Sequence, residues 1–264
     1  MKICTLANEK GGVGKSAIVC QLAYYLRIKR ALRILVIDLD HQRNTSKALK
    51  TGGLAKVAPF TSSTLLDQSI SDITDDPFVI IPGDSALKGM ERQPEKRKSI
   101  GVNLQKFLLS VDSRFDVCLI DTNPNPDVRQ IAALAVSDSV LSPIQLNQEA
   151  IDGIAALRNN VDKIKAVINK RLEFIGILPN IVEPTPFQRE NFKNLAMYYA
   201  SLLIRPDPEK GKFAFIRKTT AIAEAQAAGV AVWELKKTSA REAWHEIEPF
   251  FSFISNRILS TKEK

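Results

Sequence analysis

The 264-residue sequence has little cysteine and even less histidine, three of the first and two of the second. Cys4, Cys20 and Cys118 all lie inside apolar runs and form no C-x-x-C pair. They read as small buried hydrophobes, not as a disulfide framework. His41 and His245 are too few and too far apart for a histidine-based metal site. No stretch approaches the roughly 20 uninterrupted apolar residues of a membrane helix. The run from Met1 to Ala7 is too short for a secretory signal before glycines interrupt it. Acidic residues are the minority: 37 Lys and Arg against 29 Asp and Glu leave a net charge of +8. That balance favours a polyanionic partner, either nucleic acid or an acidic membrane surface. Internal repeats, low-complexity tracts and long linkers are absent as well. The expectation is one cytoplasmic α/β domain over residues 1–264.

What is present is a series of short, continuous apolar runs separated by helical patterns. Residues 3–7, 34–37, 117–120, 140–144 and 174–178 read as strands buried on both faces. Between the first two, Ile18, Leu22 and Leu26 recur at a spacing of four, which predicts an amphipathic helix. Alternation of this kind gives βαβ units in a doubly wound, mostly parallel sheet with helices on both faces. Residues 52–102 and 179–218 mix Gly, Pro and charge and read as surface excursions, and residues 240–259 as a closing helix.

The first strand runs directly into Asn8-Glu9-Lys10-Gly11-Gly12-Val13-Gly14-Lys15-Ser16, which opens the first helix. Gly11, Gly12, Val13 and Gly14 allow successive backbone N–H groups to turn inward around phosphate oxygens. Lys15 then neutralises the β- and γ-phosphates of a nucleoside triphosphate, and the Ser16 hydroxyl takes a Mg²⁺ position. The second strand ends in Asp38-Leu39-Asp40-His41-Gln42, placing two carboxylates at the crevice where open α/β sheets bind ligands. A later run, Val117-Cys118-Leu119-Ile120-Asp121, ends in the buried carboxylate that such a site uses to hold Mg²⁺ through water.

The loop departs from the ordinary G-x-x-x-x-G-K-[ST] pattern: Glu9 stands where glycine is expected, and Lys10 precedes the glycine pair. In K-G-G-V-G-K-S the sequence resembles the deviant Walker A ATPases of the ParA/MinD family. The resemblance extends through Asp38-x-Asp40-x-Gln42, Asp121-Thr122, the Val140–Ile144 strand with Pro143, and Ile222-Ala223-Glu224-Ala225 followed by Gly229. It is strongest to plasmid partition proteins of the IncC type. The resemblance implies an ATPase with a weak intrinsic rate in which Lys10 reaches across a homodimer to the partner's ATP, with Gly12 where two backbones come close. Asp40 would position the attacking water, and Asp38 would lie in the outer sphere of the metal. His41, Arg43 and Asn123 depart from the family, which most often carries Pro at the first position and often Gly at the second. Asn180 is a candidate adenine contact. The glycine loop begins at residue 8, so the N-terminal helix-turn-helix extension of larger relatives is not expected.

The same loop serves several tasks. Cysteines that would bridge an iron cluster between subunits are lacking, as is any motif for the substrate pocket of a metabolic ligase. A MinD-like membrane helix would use the stripe Phe250, Phe251, Phe253, Ile254, Ile258 and Leu259, which reads better as a helix packed on the core. Arg205, Lys210, Lys212, Arg217 and Lys218, followed by Lys236, Lys237 and Arg241, form a late basic stretch. By resemblance Arg217, Lys218, Lys236, Lys237 and Arg241 are candidates for non-specific contact with duplex DNA phosphates, since few aromatics interleave for single-strand stacking. The implied partners are a second copy of the chain, DNA and a ParB-like centromere-binding protein, in a cytoplasmic, nucleoid-associated setting.

Overall fold

The computed structural model describes residues 1–90, 94–207, 209 and 211–260. The five expected strands form as β1 (Lys2–Leu6), β2 (Ile34–Asp38), β5 (Val117–Asp121), β6 (Ser139–Ile144) and β7 (Glu173–Pro179). Two more, β3 (Lys56–Val57) and β4 (Phe78–Ile81), lie within a segment expected to be a surface excursion. That expectation fails for a physical reason. Phe78-Val79-Ile80-Ile81 is completely apolar and bracketed by Pro77 and Pro82, and it pairs with β2 deep in the sheet. The seven strands are all parallel, in the order β3-β4-β2-β5-β1-β6-β7.

The helices are α1 (Lys15–Tyr24), extended by a π-helical turn over Tyr25–Lys29, α2 (Asn44–Gly52), α3 (Ser62–Asp67), α4 (Leu87–Met90) and α5 (Arg97–Ser110). They continue with α6 (Val128–Val136), α7 (Gln148–Val167), α8 (Pro186–Tyr199), α9 (Thr220–Ala228) and α10 (Thr238–Ser260). Strand alternation divides the core. Ile34, Val36, Val117 and Leu119 face a layer containing α1, α2 and α10, whereas Leu35, Ile37, Cys118 and Ile120 face a layer containing α3 to α6. All three cysteines are free and buried, as expected.

Helix α1 is not amphipathic: every residue from Ile18 to Tyr24 is buried. Its polar members are satisfied by the turn after α9. Gln21 donates to the Val230 carbonyl at 3.0 Å and accepts from Val232 N–H at 2.7 Å, and the Tyr24 hydroxyl donates to the Gly229 carbonyl at 2.5 Å. Gly229 occupies the left-handed region at φ 67°, and its carbonyl is 1.7 Å from where a Cβ on Gly52 would stand. Helices α2 and α9 therefore close over α1 only because both positions are glycine. Helix α8 also corrects the reading of residues 179–218, its start set by the Thr185 cap and Pro186 in the first turn. In α10, Phe250, Phe251, Ile254 and Ile258 are buried in the core. Among the described residues no helix is long and apolar enough to cross a membrane.

Candidate nucleotide site

Strand order alone assembles the site. Because β5 lies between β2 and β1, the register sets Asp38 level with Asp121, and Asp121 level with Leu6, the last residue of β1 before the glycine loop. The two carboxylates and the loop thus emerge side by side at the C-terminal edge of the sheet. The loop opens onto a cleft of about 400 Å³ lined by Gly11 to Ala17, Asp40 to Gln42, Asn44, Pro124 and Gln226, while Asp38 and Asp121 are fully buried.

The loop is held from beneath. Asn8 donates to the Pro143 carbonyl at 2.7 Å and accepts from Lys10 N–H at 2.6 Å. Gln145 donates to the Gly12 carbonyl at 3.0 Å. Glu9, in place of the usual glycine, accepts from Asn160 of α7 at 2.7 Å, so it faces a helix and leaves the cleft clear. Gly12 and Gly14 adopt φ of 74° and 83°. At Gly14 a Cβ would fall 2.3 Å from the Asn180 amide nitrogen, which itself donates to the Val13 carbonyl at 2.8 Å. Asn180, the candidate adenine contact, is thus fixed against the backbone of the phosphate loop.

The two lysines of the loop differ sharply. Lys15 is buried, its ammonium donating to the Asn8 and Lys10 carbonyls at 3.4 and 3.3 Å. Burial pulls its pKa below the usual lysine range, against the opposing pull of Asp121 and Asp40. Lys10 is 47% exposed at the rim and pairs with Glu149 at 3.4 Å.

The carboxylates divide in a similar way. Asp38 is fully buried; one oxygen accepts from Ser46 N–H and Oγ at 2.9 and 2.5 Å, and the other from Asp40 N–H at 3.0 Å. Asp121 accepts from the Thr45 hydroxyl at 2.6 Å on Oδ2, but its buried Oδ1 has no hydrogen-bond partner among the described residues. Burial pushes both carboxyls up; Asp121 raises Asp38 further, while Thr45, Ser16 and Lys15 restrain Asp121. An orphaned carboxylate oxygen beside Ser16 and Lys15 suits a hydrated Mg²⁺, whereas the oxygens of Asp38 are taken up by Ser46 of α2 and by the Asp40 N–H. Asp40 lines the cleft, with Oδ1 accepting from Gln42 N–H at 3.0 Å and standing 3.5 Å from His41 Nδ1. Arg43 adopts φ 62°, the left-handed conformation that explains a glycine preference at this position. Sequence reasoning missed Asn8, Thr45, Ser46 and Gln145. Asn8, Thr45 and Gln145 work through Pro143, Asp121 and Gly12, distant in sequence, and Ser46 through Asp38 across the turn that opens α2.

The basic candidates lie away from the cleft. Arg217 pairs with Glu246 at 2.6 Å, Lys218 with Glu183 at 2.7 Å, and Lys237 with Glu224. Lys236 and Arg241 are exposed beside them, the latter 3.5 Å from the Thr238 hydroxyl. Lys210 lies outside the described residues.

Residues 1–174 match the AAA domain family. Protein IncC of Escherichia coli is 32% identical over 98% of this chain and 70% of its own length. The chromosome-partitioning ATPase Soj of Thermus thermophilus is 30% identical over 66% of each. The fold is shared with an ATP complex of a Cyanothece McdA variant, with a TM-score of 0.78, 18% identity and coverage of 100% of this chain and 98% of that one. It is also shared with a plasmid partition protein of Borrelia burgdorferi bound to AMPPNP, with a TM-score of 0.65, 21% identity and coverage of 95% and 98%. With the deviant loop, the paired strand-end carboxylates and these relatives in place, the chain belongs to the ParA/MinD family of P-loop partition ATPases.

Proposed function

We propose that the chain is a plasmid or chromosome partition ATPase. It binds ATP with Mg²⁺, closes into a sandwich dimer, holds duplex DNA without reading its sequence, and lets go after hydrolysis. A ParB-like centromere-binding protein would stimulate a weak intrinsic rate, and the ATP-bound form would sit on the nucleoid.

The contrast between the two loop lysines carries this reading. Lys15 is buried over its own phosphate loop, whereas Lys10 stands at the rim in a surface ion pair with Glu149. Exposed pairs of that kind stabilise by about 0–1 kcal/mol, so Lys10 is released at little cost to meet a second subunit's phosphates. Gly12 beside it is exposed, with nothing within 4 Å of a would-be Cβ, which leaves room for another backbone.

Within one subunit, Lys15 and the loop N–H groups cradle the phosphates, and Ser16 and Asp121 would hold Mg²⁺. Bound there, the metal neutralises charge on the β- and γ-phosphate oxygens. Asp40, its carboxylate steadied by Gln42 N–H, orients water toward the γ-phosphate. Phosphoryl transfer asks mainly for such positioning. Arg217, Lys218, Lys236, Lys237 and Arg241 bind the phosphate backbone. Three of them trade a surface carboxylate for DNA, a small loss for each pair.

The test is retention on non-specific duplex DNA and on anionic liposomes, each with and without ATP. ATP-dependent retention on DNA is expected. Liposome binding without DNA binding would overturn the proposal.

A further inference from the structure

The largest fully buried side chain among the described residues is a charged one, Arg129, in the first turn of α6. Its guanidinium meets the Asp127 carboxylate through Nε at 3.1 Å and a terminal nitrogen at 2.5 Å, while the other terminal nitrogen donates to the Leu39 carbonyl at 3.2 Å. Leu39 is the residue between Asp38 and Asp40. Asp127 in turn caps α6 through Arg129 N–H at 2.8 Å and accepts from the Asn123 amide at 2.9 Å. On its other side Leu39 donates its N–H to the Asp121 carbonyl at 2.9 Å. Leu39, next to Asp40, is therefore held on both sides, through its N–H by the last residue of β5 and through its carbonyl by the first turn of α6.

Burying an arginine is costly unless every charge is met, and a helix cap alone needs only the aspartate. The guanidinium's reach to Leu39 goes beyond the capping role. We propose that Arg129 is a positioning residue for hydrolysis, resting on the partition-ATPase reading. It clamps the Leu39 peptide so that the Asp40 carboxylate holds its place over the cleft, and it links that carboxylate to the loop after Asp121. Movement of residues 122–127 would then be felt at Asp40 through one rigid ionic bridge. Arg129 is fully buried, is not among the residues lining the cleft, and acts through Asp40.

The test compares Mg-ATP hydrolysis by wild type, Arg129→Lys, and the double variant Arg129→Met/Asp127→Leu. The lysine keeps a charge for Asp127 but has no fork to reach Leu39. The double variant removes both buried charges together, a change that buried pairs often tolerate, and it covers the case in which the lysine variant folds poorly. The clamp predicts a fall in kcat of roughly ten- to a hundredfold in each variant, the scale of a misplaced catalytic group. KM and affinity for a non-hydrolysable ATP analogue should stay within about twofold. A purely structural arginine would lower the melting temperature and leave kcat per folded molecule unchanged. Active wild type with unchanged kcat in the variants, or a loss confined to KM, overturns the clamp alone. Wild type that turns over no ATP overturns the hydrolytic reading and the clamp together.

Discussion

Arg43 holds the left-handed conformation, φ 62° and ψ 30°, at the start of α2, where its carbonyl accepts the first helical hydrogen bond from Lys47 at 2.9 Å. A residue with a Cβ costs about 1–2 kcal/mol in that region, and Arg43→Gly removes this cost. Glycine also loosens the unfolded chain, which takes back about 0.4–1 kcal/mol. The Arg43 side chain is exposed and makes no hydrogen bond or ion pair among the described residues, so its removal forfeits little packing. The balance is a gain of about 0.8 kcal/mol, between zero and about 1.6 kcal/mol. For a chain of this size that raises the melting temperature by roughly 2–3 °C. Urea and thermal denaturation of the nucleotide-free protein measure it, with the denaturant slope expected to stay constant. A fall of about 1 kcal/mol or more, the size of an ordinary destabilising substitution, would refute the strain argument and show that the arginine side chain supports the loop in some other way.

Gly14 shares the same backbone region, but Gly14→Ala has the opposite expected sign. The new Cβ would stand 2.3 Å from the Asn180 amide nitrogen and 3.7 Å from Ile181; titration with a fluorescent ATP analogue should show affinity reduced by roughly tenfold or more. Asp121→Asn removes a buried carboxylate whose charge is disfavoured in the fold and keeps an acceptor for Thr45. The nucleotide-free protein should melt higher, while Mg-dependent phosphate release falls by roughly a hundredfold or more. Lys236→Ala/Lys237→Ala should weaken binding to all duplex sequences alike. A salt titration should show a log–log slope flatter by about 1 for each DNA phosphate that is no longer neutralised.

Legibility in the sequence follows the range of the interactions. The five strands between 3 and 178 are readable because each is a continuous apolar run buried on both faces, and the glycine loop because its chemistry is local. Strand β4 is equally apolar, yet flanking prolines and charged loops hide it; sheet pairing with β2 supplies what local pattern lacks. Helix α1 reads as one-sided because its apolar spacing is helical, but the polar residues between are satisfied by a turn some 200 positions away. Lys15 and Ser16 line the cleft, with Asp121 buried beside them. Thr45, which holds Asp121, and Gln145 and Asn180, which hold the Gly12 and Val13 carbonyls of the loop, come from separate elements and have no signature of their own. The basic stretch is visible as composition, whereas its pairing with Glu183, Glu224 and Glu246 is not.

Sedimentation or light scattering of wild type and Lys10→Ala, with and without a non-hydrolysable Mg-ATP analogue, bears most directly on the dimer switch. Lys10 is half exposed and bound by one surface ion pair, so its truncation should leave monomer stability within about 0.5 kcal/mol. Wild type should be monomeric alone and dimeric with the analogue. Lys10→Ala should bind the analogue and remain largely monomeric. A Lys10→Ala protein that dimerises as readily as wild type would contradict the reaching lysine and, with it, ATP as the bond between subunits.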